Sequence, residues 1–109
     1  DEEIVAALDA EPTFAPYALR KGIYDGVTAP VNTISTPNVL FVSAEMDEEL
    51  AYQITKTLFD KVGELIAIHP AANDTTVDFA LNSTPIPMHP GAIRYYEETD
   101  SPIPPKLYP

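Results

Sequence analysis

The sequence predicts an α/β fold in which helices pack on a small, incomplete sheet. One observation is a long apolar stripe at helical spacing that begins after Asp47. Another is a run of β-forming residues from Val31 to Ser43, interrupted by Pro37. The third is composition: 45% of the 109 residues are apolar, so the chain can build a core. This length corresponds to one small domain or to a piece of a larger one.

The chain is strongly acidic, with 17 Asp and Glu against 6 Lys and Arg and a formal net charge of −11. Nucleic-acid binders and proteins of anionic membrane surfaces need clustered cations, so neither kind of partner is expected. The absence of cysteine excludes disulfides, thiol catalysis and Cys-based zinc sites. No window approaches the roughly 20 apolar residues of a membrane span, so a soluble protein is expected.

The first part of the chain predicts a helix, an extended stretch and a turn. Residues 1–10 have leading acidic residues and apolar residues on one side, as in a short surface helix. Pro12 ends this helix, and Pro16 keeps the next stretch extended up to Leu19. A glycine then stands two positions before and two positions after Tyr24, which indicates a turn that presents the aromatic side chain.

Residues 31–43 are the best strand candidate, although Pro30 directly precedes the run and Pro37 interrupts it. Because proline cannot donate to a sheet, Pro37 indicates an edge, a bulge or a crossing between two sheets. The second half, Asn38–Ser43, is almost continuously apolar, as in a strand buried on both faces. One strand cannot form a sheet, so its partners must come from weaker stretches, from another chain or from residues outside this sequence.

A long helix is predicted to begin at Asp47, whose side chain can cap it, and to run to about Ile68, before Pro70. The two residues after Asp47 are both Glu, which places negative charge at the positive end of the helix dipole. Gly63 is a weak point inside this helix. The apolar stripe, which Phe59 and Ile66 widen, consists of Leu50, Ile54, Leu58, Val62 and Leu65.

The remaining residues predict two shorter helices. Asp74-Thr75-Thr76 can cap a helix that runs through Leu81, and Pro90 suits the first turn of a last helix, from Gly91 to about Glu98. A proline-spaced, extended connector separates them. Residues 101–109 contain four prolines and are predicted to form an extended tail.

No group of residues carries an enzymatic or metal-site signature. The two histidines, His69 and His89, match no metal-ligand spacing, and each is expected to cap or pack at a helix boundary. There is no Gly-x-Ser-x-Gly elbow and no glycine-rich phosphate loop, so neither catalysis nor a cofactor is expected. Arg20, Lys21 and Tyr24 could form an anion-facing patch, although neighbouring cations are more often plain surface.

Three blocks of the sequence resemble a known family of receptors. Residues 46–59, MDEELAYQITKTLF, resemble the helix D-L-x-Y-x-I-T-K-x-L-F of TAXI-type solute receptors, the extracytoplasmic binding proteins of one class of TRAP transporters. Residues 85–96, PIPMHPGAIRYY, are close to the family's ending P-I-P-L-H-P-G-A-x-R-Y-Y. Residues 22–26, GIYDG, look like its turn G-T-Y-P-G, with Asp25 where proline is usual.

The resemblance implies the C-terminal portion of a type II periplasmic-binding-protein-like fold, in which a solute is held between two lobes. It covers about the last third of a family member. By this comparison, residues 1–26 end the second lobe and residues 27–45 cross the hinge. Residues 46–100 then form the helical part that packs on the first lobe, and residues 101–109 form the tail.

The resemblance also implies a function. Such a receptor works in the periplasm, captures a small organic acid (a dicarboxylate or a glutamate-like amino acid) and delivers it to the TRAP membrane subunits. It implies no enzymatic activity. The principal ligand residues are expected upstream of this segment, and His89 and Arg94, which match family positions, are expected to hold the fold. Proximity to the hinge crossover selects four ligand-binding candidates: Tyr24, Thr28, Asn32 and Thr33.

Two other functions stay open. The same fold occurs as a ligand-sensing effector domain, attached to a DNA-binding or sensor segment. A small unfinished sheet could also belong to a free-standing acidic interaction module that pairs its exposed edges with another chain. Pairing with the remainder of a longer chain or with a second copy is open as well, whereas an enzyme is the least supported class.

Overall fold

The computed structural model describes residues 2–109. The described residues form two compact units, which divide between Asn38 and Val39. A mixed α/β class with helices packed on a small, incomplete sheet was predicted and is confirmed, and the sheet of the described residues has two strands. The elements in chain order are α1 (Glu2–Ala10), β1 (Ala15–Leu19), β2 (Val31–Ser35), α2 (Glu48–Asp60), α3 (Val62–Ile68), a 3-10 helix (Pro70–Asp74), α4 (Val77–Ser83), α5 (Pro90–Glu98) and a second 3-10 helix (Pro105–Leu107).

The N-terminal unit is an antiparallel hairpin of β1 and β2 with α1 packed against both strands. The register pairs Ala15 with Ser35 and Leu19 with Val31. Ala15, which is 1% exposed, is the buried centre of this unit. The partner of the predicted strand therefore comes from one of the weaker stretches, the residues that follow the first helix.

The predicted strand over residues 31–43 is wrong beyond Ser35. Residues 36–43 are neither helix nor strand, and Leu40 and Phe41 are 65% and 68% exposed. Asn38–Ser43 is therefore not buried on both faces. The physical reason is the length of the partner, because β1 begins at Ala15, opposite Ser35, and no other described residues pair with the chain beyond that point.

The C-terminal unit is centred on the contact between α2 and α5. Gly91 lies where the two helices come close together. An added Cβ there would meet the Glu48 carbonyl and would stand 2.6 Å from the Tyr52 backbone nitrogen and 2.9 Å from the Ala51 Cβ. Further along, the Phe59 ring stacks on the Tyr95 ring with 5.3 Å between centroids. Small residues at one end and aromatic rings at the other set the separation of the two helices.

The helix predicted from Asp47 to Ile68 is interrupted at Lys61. Its start is confirmed, since the Leu50 backbone N–H donates to the Asp47 carboxylate at 3.0 Å. At Lys61 the backbone ψ is 14°, far from the helical value of about −42°, and α2 ends there. The Lys61 carbonyl then accepts a hydrogen bond from the Leu65 N–H as α3 starts. Gly63, the second residue of α3, lowers the helix propensity at this junction.

The apolar stripe that predicts α2 is not the face that contacts α5. Leu50 is 52% exposed, and the side of α2 that carries Ile54 and Leu58 borders an open apolar groove. The contacts with α5 come instead from Ala51 and from the rings of Tyr52 and Phe59. Within the described residues, α2 thus has one covered face and one partly exposed apolar face.

The two short helices have the predicted starts. The Phe79 N–H donates to the Thr76 hydroxyl at 3.1 Å, which caps α4, and this helix continues two residues past the predicted Leu81. Pro90 is the first residue of α5, one residue earlier than predicted, and α5 ends at Glu98 as expected.

The prediction of an extended tail over residues 101–109 is wrong at Pro105–Leu107. The tail contains a 3-10 helix, and Leu107 is 0% exposed. Leu107 packs with Leu81 and Tyr96 in the core cluster, and its carbonyl accepts a hydrogen bond from the Met88 N–H at 2.8 Å. The prolines keep most of this segment extended, but Leu107 still reaches the core and packs there.

The burial of Tyr96 predicts a loss of stability at alkaline pH. Burial, helped by nearby Tyr95, raises the pKa of Tyr96 to about 12, against 10.0 for an exposed tyrosine. The unfolded chain therefore loses this proton first, and stability of about 2 kcal/mol, complete below pH 10, is lost between pH 10 and about pH 12. Urea titrations across this range should show the loss in the natural protein and a smaller one in Tyr96→Phe. Equal losses in the two proteins would contradict the assignment, since the raised pKa values of Tyr52, Tyr95 and Tyr108 act in both.

Candidate functional site

The loop between β1 and β2 is a hydrogen-bonded turn that presents Tyr24. The Gly22 N–H donates to the Val27 carbonyl at 2.8 Å, and the Val27 N–H donates to the Tyr24 carbonyl at 3.1 Å. Gly22 and Gly26 have φ values of 80° and 89°, which side chains disfavour, so the two glycines permit this turn. Tyr24 is 65% exposed, as the glycine spacing predicts.

The other three candidates lie in or just before β2. Thr28 is exposed in the loop, whereas Asn32 and Thr33 are neighbours within the strand. Successive strand residues point to opposite faces, so Asn32 and Thr33 cannot both line a site on one face of the hairpin. Asn32 stands opposite Ala18 on the more exposed face, and Thr33 stands opposite Tyr17 on the half-buried face.

The half-buried face also holds a hydroxyl that the sequence reasoning did not single out. Ser35 lies two residues after Thr33, and its Oγ is buried without a hydrogen-bond partner among the described residues. The alternation of side chains along β2 was the available signal, because it places Thr33 and Ser35 on one face with Tyr17. The hairpin therefore offers exposed Asn32 on one face and a row of hydroxyls on the other.

A second polar group joins α2 to α5 around Arg94. One guanidinium nitrogen lies 2.6 Å from a Glu49 carboxylate oxygen and the other lies 3.6 Å from Glu48, while the guanidinium carbon stands 3.8 Å above the Tyr52 ring. The Tyr52 hydroxyl donates to Glu98 at 2.9 Å. Arg94 of α5 is paired with two carboxylates of α2, so its role is to hold the fold together, as expected.

The carboxylate pairing around Arg94 has an electrostatic signature. Hydrogen bonds from Gln53 and then from Arg94 lower the pKa of Glu49. The hydrogen bond to Glu49 raises the pKa of Arg94 further above its ordinary value. Both shifts favour the ionised pair, and both groups are solvent-exposed, so screening by salt weakens their interaction.

Both histidines begin helical segments, as predicted. The Gly91 N–H donates to the His89 Nδ1 at 3.1 Å, and the Ala71 N–H donates to the His69 Nδ1 at 3.1 Å. Between Glu2 and Pro109, no three side chains of His, Asp or Glu come together in a way that could hold a metal ion. In the same range no helix is long and apolar enough to cross a bilayer.

The sequence profile of the NMT1-like family matches residues 1–99, which is all but the last ten residues of the chain. This is a solute-binding family with a periplasmic-binding-protein-like fold. The match includes the β1–β2 hairpin with its Tyr24 turn, as well as helices α1 to α5. On this evidence the chain belongs to the NMT1-like family.

Proposed function

We propose that the chain works as part of a TRAP-type, TAXI-like solute receptor outside the cytoplasm. It helps to capture a small organic acid, a dicarboxylate or a glutamate-like amino acid, for delivery to membrane subunits. The observation that carries the proposal is the NMT1-like match across residues 1–99. The three TAXI-like sequence blocks supply the finer assignment, and two of them fall on α2 and α5, the helices that pack together.

The lobe assignment is supported by the segment between the two units. Residues 26–44 contain no charged side chain in a chain of net charge −11. Leu40, Phe41 and Val42 are consecutive and all exposed. If they formed a strand, their side chains would alternate between its two faces, so both faces would be apolar. Apolar residues on both sides are typical of a strand inside a helix-covered sheet. We assign residues 1–26 to the second lobe, 27–45 to the hinge and 46–100 to the first lobe.

The partly exposed face of α2 supports the same assignment. Leu50, Ile54 and Leu58 were the residues expected to face a core, yet α5 packs on a different face. A helix that follows an apolar strand in an α/β protein covers the sheet to which that strand belongs. In this proposal a sheet of the first lobe takes up residues 39–42 and covers this face of α2.

The solute contacts are assigned to the β1–β2 hairpin. Tyr24 and Thr28 offer hydroxyls, and Asn32 offers an amide, all exposed on the loop or on the more open strand face. Hydroxyl and amide donors suit carboxylate oxygens, and Arg20 and Lys21 add positive charge at the start of the same loop. Thr33 lies on the opposite, half-buried face, so in this proposal it supports the hairpin and does not contact the solute together with Asn32.

The proposal predicts which hairpin substitutions weaken solute binding. Calorimetric titration of the native-length protein from its source cells with succinate and glutamate should show binding, and the corresponding diamides should not bind. Asn32→Ala should lower affinity by about 10- to 100-fold, since a hydrogen bond to a charged group contributes about 1.5 to 3 kcal/mol. Thr36→Ala, an exposed position just after β2, is the matched control and should leave affinity unchanged.

Two outcomes would count against the receptor. One is the absence of any carboxylate binding by the native-length protein, which would remove the solute class. The other is equal loss of affinity in Asn32→Ala and Thr36→Ala, which would remove the hairpin from the site. A native species of 11.9 kDa would favour the second candidate, an interaction module, because a chain of that mass encloses no two-lobed cleft.

A further inference from the structure

Two His-Pro pairs begin helical segments by the same device. His69-Pro70 starts the first 3-10 helix and His89-Pro90 starts α5. In each pair the proline takes the first helical position, where its missing N–H costs nothing, and the histidine Nδ1 accepts the next backbone N–H. The imidazole thus replaces the usual Ser, Thr or Asp cap. Such a cap works only while Nδ1 carries no proton.

His89 differs from His69 because its other ring nitrogen is also engaged. Since Nδ1 accepts from Gly91, the neutral ring carries its proton on Nε2, which donates to the Met46 carbonyl at 3.0 Å. Met46 lies in the turn immediately before α2, 43 residues earlier in the chain. The ring is half-buried, whereas His69 is exposed. One side chain therefore joins the turn before α2 to the first turn of α5.

We infer that His89 is an acid-sensitive latch between the turn before α2 and the start of α5. A proton on Nδ1 would face the Gly91 N–H, so a donor would oppose a donor and the cap would be lost. The imidazolium would also stand at the positive end of the α5 dipole. At Gly91 the backbone of α5 lies so near α2 that a Cβ has no room, so the loss falls where the two helices are tightly packed. Histidine is the side chain whose charge ordinarily changes between about pH 5 and pH 8.

The charged side chains around His89 form no hydrogen bond with its ring in the described part of the chain. The Asp47 carboxylate accepts from the Leu50 N–H, and Arg94 pairs with the two glutamates that begin α2. Both ring nitrogens of His89 are bound to backbone groups, so no carboxylate holds the ring in its charged form through a hydrogen bond. The charged residues on the turn before α2, on α2 and α5 and on the C-terminal 3-10 helix are Glu45, Asp47, Glu48, Glu49, Lys56, Asp60, Arg94, Glu97, Glu98 and Lys106.

The latch can be tested by NMR, whatever solute the protein binds. On moving from about pH 7.5 to about pH 5, the protection factor of the Gly91 amide against hydrogen exchange should fall about five-fold, the usual effect of losing a helix cap. His89→Asn should remove this fall, because an asparagine oxygen can cap the helix at either pH. His69→Asn is the matched control, and it should keep the fall at Gly91.

Two results would overturn the latch. The first is a Gly91 protection factor that stays constant in the natural protein, or that falls equally in His89→Asn. The second needs no variant, so it applies even if His89→Asn does not fold. Ring nitrogen chemical shifts of the natural protein at about pH 7.5 should show a neutral His89 with its proton on Nε2, and a proton on Nδ1 would exclude the cap.

Discussion

Replacing Gly91 with alanine is expected to destabilise the C-terminal unit by about 3 kcal/mol or more, the upper range for overpacking. The new Cβ would meet the Glu48 carbonyl, the Tyr52 nitrogen at 2.6 Å and the Ala51 Cβ at 2.9 Å. Two of these three atoms are backbone, so no side-chain rotation can relieve the contact. The helices α2 and α5 would have to separate, and the contacts of Arg94 with α2 would be lost with them.

Gly63→Ala is the matched control. Gly63 is the second residue of α3, as Gly91 is of α5, and a Cβ there meets nothing within 4 Å. Alanine should therefore stabilise α3 by up to about 1 kcal/mol through helix propensity. Urea unfolding followed by circular dichroism should move the midpoints of the two variants in opposite directions. A Gly91→Ala protein as stable as the natural one would show that the two helices do not approach as described.

Helix starts could be predicted from the sequence because the groups that determine them are local. Asp47 and Thr76 accept the N–H three residues ahead, and Pro90 has the fixed φ that the first helical turn requires. Helix ends and breaks depend on more distant packing. The break at Lys61 falls inside an unbroken apolar pattern, and Gly63 was the one local sign of it.

The second half of the predicted strand shows that an apolar pattern does not by itself predict a strand. Residues 39–42 have the composition of a buried strand, but a strand also needs a neighbour for its backbone groups. Within the described residues, β1 is too short to provide one beyond Ser35. The composition of residues 39–42 therefore shows only that they are able to form a buried strand. In the proposed receptor, the first-lobe sheet supplies the neighbouring strand that they need.

The face of α2 that contacts α5 was missed for a related reason. A pattern of large aliphatic residues at helical spacing predicts that the side of α2 with Leu50 is the packed face. Close helix packing instead uses small residues, here Ala51 against Gly91, with stacked aromatic rings further along the two helices.

At the hairpin, the flanking glycines predicted that Tyr24 lies in an exposed turn. The opposite orientations of Asn32 and Thr33 follow only once β2 is known to contain both residues.

Leu107→Ala is expected to destabilise the C-terminal unit by about 2 to 5 kcal/mol, the range for a leucine truncated inside a core. Leu107 is 0% exposed and packs with Leu81 and Tyr96. It nevertheless lies only two residues before Pro109, in a proline-containing segment whose local pattern predicts only extended backbone. The cavity cannot close easily, because prolines on either side hold the backbone and the Leu107 carbonyl is bonded to the Met88 N–H.

In the 109-residue chain by itself, where no first-lobe sheet covers residues 39–42, Leu40→Ala makes the same chemical change at a side chain that is 65% exposed. It should therefore alter the free energy of unfolding by no more than about 0.5 kcal/mol. The thermal and urea unfolding midpoints of the two variants should be compared. A much lower midpoint for Leu107→Ala would show that the tail is part of the core and not merely attached to it. If Leu107→Ala matched Leu40→Ala, the tail would be dispensable. With the expected difference, residues 101–109 are part of the fold, since Leu107 packs in one core cluster with Leu81 of α4 and Tyr96 of α5.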